Sequence, residues 1–225
     1  HIGNPKYFNT KDIDQVILYP GSKEQKELNA HYFPFFITDK FFSFYTKKKS
    51  FQKANINLIS IVIGGSDGGN YLWDQEDIHF LLQRIKNISY KQKIKINIIT
   101  SRRTTKKNDD LIRQWCNENT EIIHSVSLFS EKNHCNIYPL LEEASMCIVT
   151  ADSETMTSDI IAMQKPCVAV LPKSYKSDFV YPMIRHLHKK NALALLNSSE
   201  INVSILTQNF TKIKIPLIEQ SFNHI

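Results

Sequence analysis

The chain has 225 residues, of which 42% are hydrophobic and 22% charged, a composition that supports one large or two small folded domains and excludes a disordered polymer. Its apolar runs are strand-sized and broken by Lys, Asp or Pro, so none reaches the roughly 20 residues that a membrane-spanning helix needs. The net charge of +6 favours an anionic partner, but the lysines behind it are scattered, which sets nucleic acid aside in favour of a phosphorylated ligand or a membrane surface.

The four cysteines, Cys116, Cys135, Cys147 and Cys167, show no C-x-x-C spacing. Two of them sit in hydrophobic strands, so they read as reduced core thiols of a cytosolic-type compartment, and no zinc site is indicated. The N-x-[ST] triplets at Asn87, Asn197, Asn202 and Asn209 are expected by chance in so Asn-rich a chain. The chain opens on His1 with no signal-like apolar stretch, so it is expected to be a truncated or processed piece.

In chain order, "QVILYP" reads as a strand, followed by the aromatic and then basic stretch "HYFPFFITDKFFSFYTKKKS". That stretch is read as core cover between domains. The other reading makes it a membrane-surface element, with Lys47, Lys48 and Lys49 beside anionic lipid. From Asn57 onward apolar runs of strand length alternate with amphipathic segments. "LISIVIGG" is a strand ending in glycines, and "DQEDIHFLLQRIKNIS" places Ile78, Leu81, Leu82 and Ile85 at helical spacing behind an N-cap Asp74. "IKINIIT" leads through "SRRTTK" to the helix "NDDLIRQWCNE". "TEIIHS" leads to "NIYPLLEEAS", and "MCIVT" to "SETMTSDIIAMQ". "PCVAVLP" adds a strand, "SDFVYPMIRHLHKK" a helix interrupted or kinked at Pro182, and "ALALL" a last short strand. Strands hydrophobic on both faces, alternating with helices, predict an open, doubly wound, mostly parallel α/β sheet. Ligands of such sheets bind outside the carboxyl ends of the strands.

Three polar clusters fall at those ends. Gly64, Gly65 and Ser66 follow a strand, where backbone N–H groups can approach a phosphate, although the same glycines also make a plain tight turn. They match neither G-x-G-x-x-G nor G-x-x-x-x-G-K-[ST]. In "IITSRRTT", Arg102 and Arg103 leave a strand; adjacent arginines seldom face the same way, so one at most is expected to point at the site. In "CIVTADSETMTSDIIAMQKPCVAVLP", Thr150, Asp152 and Ser153 end a strand, Ser153 can cap the helix, and Met156, Ile160 and Met163 form its buried face. Thr155 and Asp159 then share a polar face, where a carboxylate either accepts two ribose hydroxyls or only meets water. Among the histidines, His124 at a strand end is the one placed to face the site. No Ser-His-Asp order or metal-ligand spacing emerges.

The run "VIGGSDGGNYLW", "ITSRRT" and "LLEEASMCIVTADSETMTSDIIAMQKPCVAVLP" resembles the family of mitochondrial fission proteins of the elongated-mitochondria type. That family is similar in fold to the C-terminal half of B-type glycosyltransferases, including the one that adds N-acetylglucosamine to the peptidoglycan lipid precursor. The resemblance covers residues 57–196 and implies that Gly64, Gly65 and Ser66 bind a donor diphosphate. It further implies that Ser101, Arg102 and Thr104 approach the nucleotide, that Thr150, Asp152, Ser153 and Met156 shape the pocket floor, and that Asp159 stands where these transferases carry a ribose-binding acid. The family usually has Glu in place of Asp159, and Gly in place of Gln164, so the end of that helix is expected to be built differently.

The implied organisation is 1–55 as the end of a preceding N-terminal domain plus linker, 56–200 as a Rossmann-like nucleotide-sugar-binding domain, and 201–225 as a C-terminal tail. The implied function is metal-independent glycosyl transfer from a nucleotide-diphosphate sugar, of uridine diphosphate type, with no separate cofactor. The acceptor is unnamed, with a glycolipid or polysaccharide as the candidate classes. The alternative is a non-catalytic scaffold that recruits a membrane-division partner. Either is expected in the cytoplasm or peripherally on a membrane surface, and this chain alone is not expected to turn over substrate.

Overall fold

The computed structural model describes the backbone of residues 16–18 and 30–32 and, in full, residues 56–65, 73–131, 136–173, 181–204 and 206. Ser66, Cys135, Lys47, Lys48, Lys49 and most of the aromatic stretch and C-terminal tail lie outside the described residues. β1 (Val16–Leu18) and β2 (Ala30–Tyr32) pair in parallel as a two-stranded sheet.

The main sheet has six parallel strands: β3 (Leu58–Ile63), β4 (Lys95–Thr100), β5 (Ile123–Ser127), β6 (Met146–Thr150), β7 (Cys167–Leu171) and β8 (Ala194–Asn197). Their spatial order is β5-β4-β3-β6-β7-β8, so the chain builds outward from β3 in one direction and then returns to β6 to build in the other. This is the doubly wound Rossmann-type order, with its reversal between β3 and β6. The helices between the strands are α1 (Gln75–Gln92), α2 (Lys106–Glu118), α3 (Tyr138–Glu143), α4 (Glu154–Ala162) and α5 (Pro182–Lys189).

Two cores flank the sheet, and the two-residue period of the strands fills both. Ile59, Ile61 and Ile63 of β3 join Ile78, Leu81, Leu82 and Ile85 of α1 on one face. Val62 of the same strand joins Val149, Ala169, Ile160 and Met183 on the other. The central strands β6 and β7 are buried throughout, which is why their sequences carry no polar alternation. Cys147 and Cys167 face each other in register there as free, buried thiols, and burial pushes Cys147 up to about 12.

Helix starts follow their caps. Asp74 accepts the Asp77 N–H at 2.8 Å, Thr105 accepts that of Asn108 at 3.2 Å, and Ser153 accepts that of Met156 at 3.4 Å. Three local expectations are corrected. Pro182 does not kink a helix but opens α5, because its missing N–H costs nothing in the first turn. The strand expected at "TEIIHS" starts at Ile123, after a turn over 119–122. His124 therefore lies near the amino end of β5, with its exposed ring 3.7 Å from Glu143, away from the carboxyl ends of the strands.

The end of α4 is the fourth correction. Gln164 adopts φ 57°. Its N–H donates to Ile161 at 2.8 Å and that of Lys165 to Ile160 at 3.2 Å, the paired bonds of a Schellman motif. The glycine-type helix end is thus retained with a side chain on it, at a cost of about 1 kcal/mol. Gln164→Gly is expected to raise stability by about 0.5–1 kcal/mol, read as a thermal midpoint higher by about 1–4 °C.

Candidate functional site

At the reversal point the carboxyl ends of β3, β4 and β6 meet the N-terminus of α4. Glycine is required after β3 because of close approach. A Cβ on Gly64 would stand 2.1 Å from Asp152 Oδ2, and one on Gly65 would stand 1.9 Å from the Arg103 carbonyl oxygen. The Gly64 N–H donates to Thr150 Oγ1 at 2.7 Å, and the Gly65 N–H to Asp152 Oδ2 at 3.2 Å. The two amides expected to meet a diphosphate are therefore engaged by the protein's own side chains.

Thr104 holds the same turn from the other side. Its hydroxyl donates to the Gly64 carbonyl at 2.7 Å, lies 2.9 Å from that of Ile63, and accepts the Ser101 N–H at 3.0 Å. Asp152, 1% exposed, completes the junction through an ion pair with Arg103, Nη2 to Oδ2 at 3.1 Å. Burial lifts its carboxyl above the ordinary aspartate range, against the pull of Thr150, Arg103 and the Gly65 N–H. Its Oδ1 has no hydrogen-bond partner among the described residues.

Above this junction opens a cleft of about 690 Å³. The β4 turn contributes Ser101, Arg102 and Arg103; the start of α4 contributes Asp152, Ser153, Glu154, Thr155 and Met156. Val62, Ile99, Phe129, Ile137 and Tyr181 form an apolar wall. Ser153 caps α4, but the N–H groups of Glu154 and Thr155 lack acceptors within the helix, so the helix presents partial positive charge to the cleft. Arg102 is exposed and adds a full charge.

Glu154 is half-buried in the cleft lining, with Met183 at the start of α5 near its carboxyl. Burial raises it to about 7, with the Met183 backbone as the opposing influence. Asp159 lies elsewhere. It is buried, accepts the Tyr138 hydroxyl at 3.0 Å and is not part of the cleft lining, whereas Thr155 is exposed. Burial, followed by the Asp159 charge, pushes the Tyr138 phenol well above its ordinary range. The buried face of α4 is Thr157, Ser158, Asp159, Ile160, Ile161 and Ala162, while Met156 and Met163 are only half-buried.

Of the residues singled out from the sequence, Ser101, Arg102, Asp152, Ser153, Thr155 and Met156 thus gather in the cleft. Gly64, Gly65, Thr104 and Thr150 support its floor from beneath, Asp159 is on the buried face of α4, and Ser66 is outside the described residues. Both Arg102 and Arg103 line the cleft, where the sequence led to the expectation of one at most, and Glu154, Phe129 and Tyr181 are lining residues that sequence reasoning did not select. Arg103 carried a signal, being one residue from Arg102 at a strand end, and only the fold shows that it takes the buried carboxylate.

Two outcomes follow from this geometry. Gly65→Ala must move the Arg103 backbone and is expected to cost about 1–3 kcal/mol, measured by denaturant unfolding. For Glu154, both states are protonated below the ordinary glutamate value of 4.5, so its contribution to stability is fully present there. As pH rises toward about 7 the unfolded chain has lost a proton that the folded one keeps, and the contribution disappears. Thermal midpoints measured from pH 5 to pH 8 should fall for the native chain and fall less for Glu154→Gln.

No curated protein matches the chain. Among solved structures it is similar to the crystal structure of Acinetobacter baumannii MurG, at 13% identity and a TM-score of 0.47. That match covers 89% of this chain and 52% of the other, so the chain spans about half the length of that structure. The family model described as mitochondrial fission ELM1 matches residues 45–214. With more than half of its length matched by that model, the chain belongs to the mitochondrial fission ELM1 family.

Proposed function

We propose that the cleft at the reversal point is a nucleotide-diphosphate-sugar site, and that this chain is the donor-binding part of a glycosyltransferase-like protein. The observation that carries the reading is the convergence, in one cleft of about 690 Å³, of an arginine turn, a helix N-terminus and an apolar wall. Phosphate oxygens suit the free N–H groups of Glu154 and Thr155, the Ser153 cap and the Arg102 fork. A nucleoside, of uridine type by the family resemblance, suits the wall formed by Ile99, Phe129 and Ile137. Asp159 takes part only by exchanging the Tyr138 hydroxyl for a ribose hydroxyl. Transfer would then rest on positioning and on stabilising the departing diphosphate, with the acceptor, a glycolipid or polysaccharide, held by parts of the protein beyond this chain.

A second reading rests on its own observation. The Gly64 and Gly65 N–H groups are satisfied by Thr150 and Asp152, with a carboxylate lying against the turn that would cradle a phosphate. This favours a scaffold on the same fold that recruits a membrane-division partner without binding nucleotide.

Thermal unfolding with uridine, adenosine and guanosine diphosphates and their sugar conjugates separates the two. A ligand at about 100 times its Kd should add roughly 2.7 kcal/mol. The donor-site reading expects a shift with one nucleotide class and affinity weakened about ten-fold or more in Arg102→Ala. No shift with any of them, in this chain or in a longer one carrying the preceding region, rejects it in favour of the scaffold.

A further inference from the structure

Glu154 is the cleft group left without a role by the nucleotide reading. It lines the cleft one residue past the Ser153 cap, at the first position of α4 and near the start of α5. The helices are joined there by the Ser158 hydroxyl, which donates to the Glu154 carbonyl at 2.8 Å and lies 3.3 Å from Met183 Sδ. Among the described residues the Glu154 carboxyl has no salt-bridge partner, although Arg102 and Arg103 line the same cleft.

A carboxylate with spare lone pairs in a cleft wall accepts hydroxyl donors and repels anions. With the phosphates drawn to the Arg102 side and to the free amides of α4, the group beyond them meets Glu154. We propose that Glu154 is a specificity determinant that selects, beyond the diphosphate, a neutral hydroxyl-bearing substituent such as a hexose and rejects an anionic one such as a third phosphate or a uronic acid. This rests on the donor-site reading and deepens it by naming the class of group transferred.

The selection depends on charge, so it should follow the protonation of Glu154. The charged and titratable groups around the cleft are Arg102 and Arg103 after β4, Asp152 after β6 and Tyr181 before α5. None of them is a cause of the Glu154 shift: burial raises it and the Met183 backbone opposes. The carboxylate is largely charged at pH 8 and largely protonated at pH 6, so rejection of anionic substituents should be strong at the first and weak at the second.

The test is calorimetric titration of the full chain with uridine diphosphate, uridine triphosphate, a uridine diphosphate hexose and a uridine diphosphate uronic acid. Each is run at pH 6 and pH 8 on the native protein and on Glu154→Gln. Arginine and helix contacts to the diphosphate are common to the two sugar conjugates, which carry no phosphate titrating between pH 6 and pH 8, so their ratio, compared in native protein and variant, isolates Glu154. Expected at pH 8 is a preference for the hexose over the uronic acid and the triphosphate on the order of ten-fold or more. It should shrink at pH 6 and be absent at both pH values in Glu154→Gln, while the diphosphate itself binds the variant at least as well. The same preference in native protein and variant overturns the role of Glu154 and leaves the donor site standing. Failure of all four ligands to bind either protein overturns both.

Discussion

The functional end of this sheet depends on one buried carboxylate. Asp152 ties β6 to β3 through the Gly65 N–H and to the β4 turn through Arg103, so a single side chain links the carboxyl ends of three strands. Taking a carboxylate out of water is costly unless its charge is matched, and here burial does raise its proton affinity despite the guanidinium and amide beside it. The neighbouring requirements follow from that placement. Gly64 can carry no Cβ because the carboxylate lies against it, and Gly65 can carry none because the Arg103 backbone crosses so near. Thr150 and Thr104 then satisfy the remaining polar groups of the turn.

Glycines after the first strand of a doubly wound sheet invite a phosphate-loop interpretation, but their amides point at side chains of the next half of the fold. They serve as a hinge of close contact between the two halves of the sheet, and the surface that remains open to a ligand is shifted toward α4 and the arginine turn. The cleft is thereby lined both by groups that carry charge or partial charge and by the larger side chains of Phe129, Ile137 and Tyr181. Such a mixed lining is what the proposed ligand, part anionic and part flat and apolar, requires.

The architecture was legible in the sequence because its periodicities are strong. Runs such as LISIVI and CVAVL, buried on both faces, have no other stable home than a covered parallel sheet, and the caps at Asp74 and Ser153 were readable from residue type alone. The site was legible only in part. Position at a strand end identified Ser101, Arg102, Asp152 and Ser153, since topology brings those ends together whatever the side chains do. Position could not reveal that Asp159 turns inward to Tyr138, 21 residues earlier in the chain, or that Arg103 closes on Asp152. Those are choices of side-chain direction, decided by packing. Gln164 failed for a related reason: a residue that disfavours a left-handed backbone adopts one when the two helix-end hydrogen bonds and the following strand leave no other path.

The pairing of β3 with β6 carries a consequence for how the molecule assembles. Every other neighbouring pair in the main sheet is made by strands consecutive in the chain, each reachable through a single intervening helix. β3 and β6 come together across a separation spanning Ile59 to Met146, and the cleft lies at that seam. Closing so long a loop is the slowest kind of contact to form. The cleft is therefore a late product of folding, absent from either half of the sheet alone, and any fragmentation of the chain between β5 and β6 would leave two wound halves with no cleft between them.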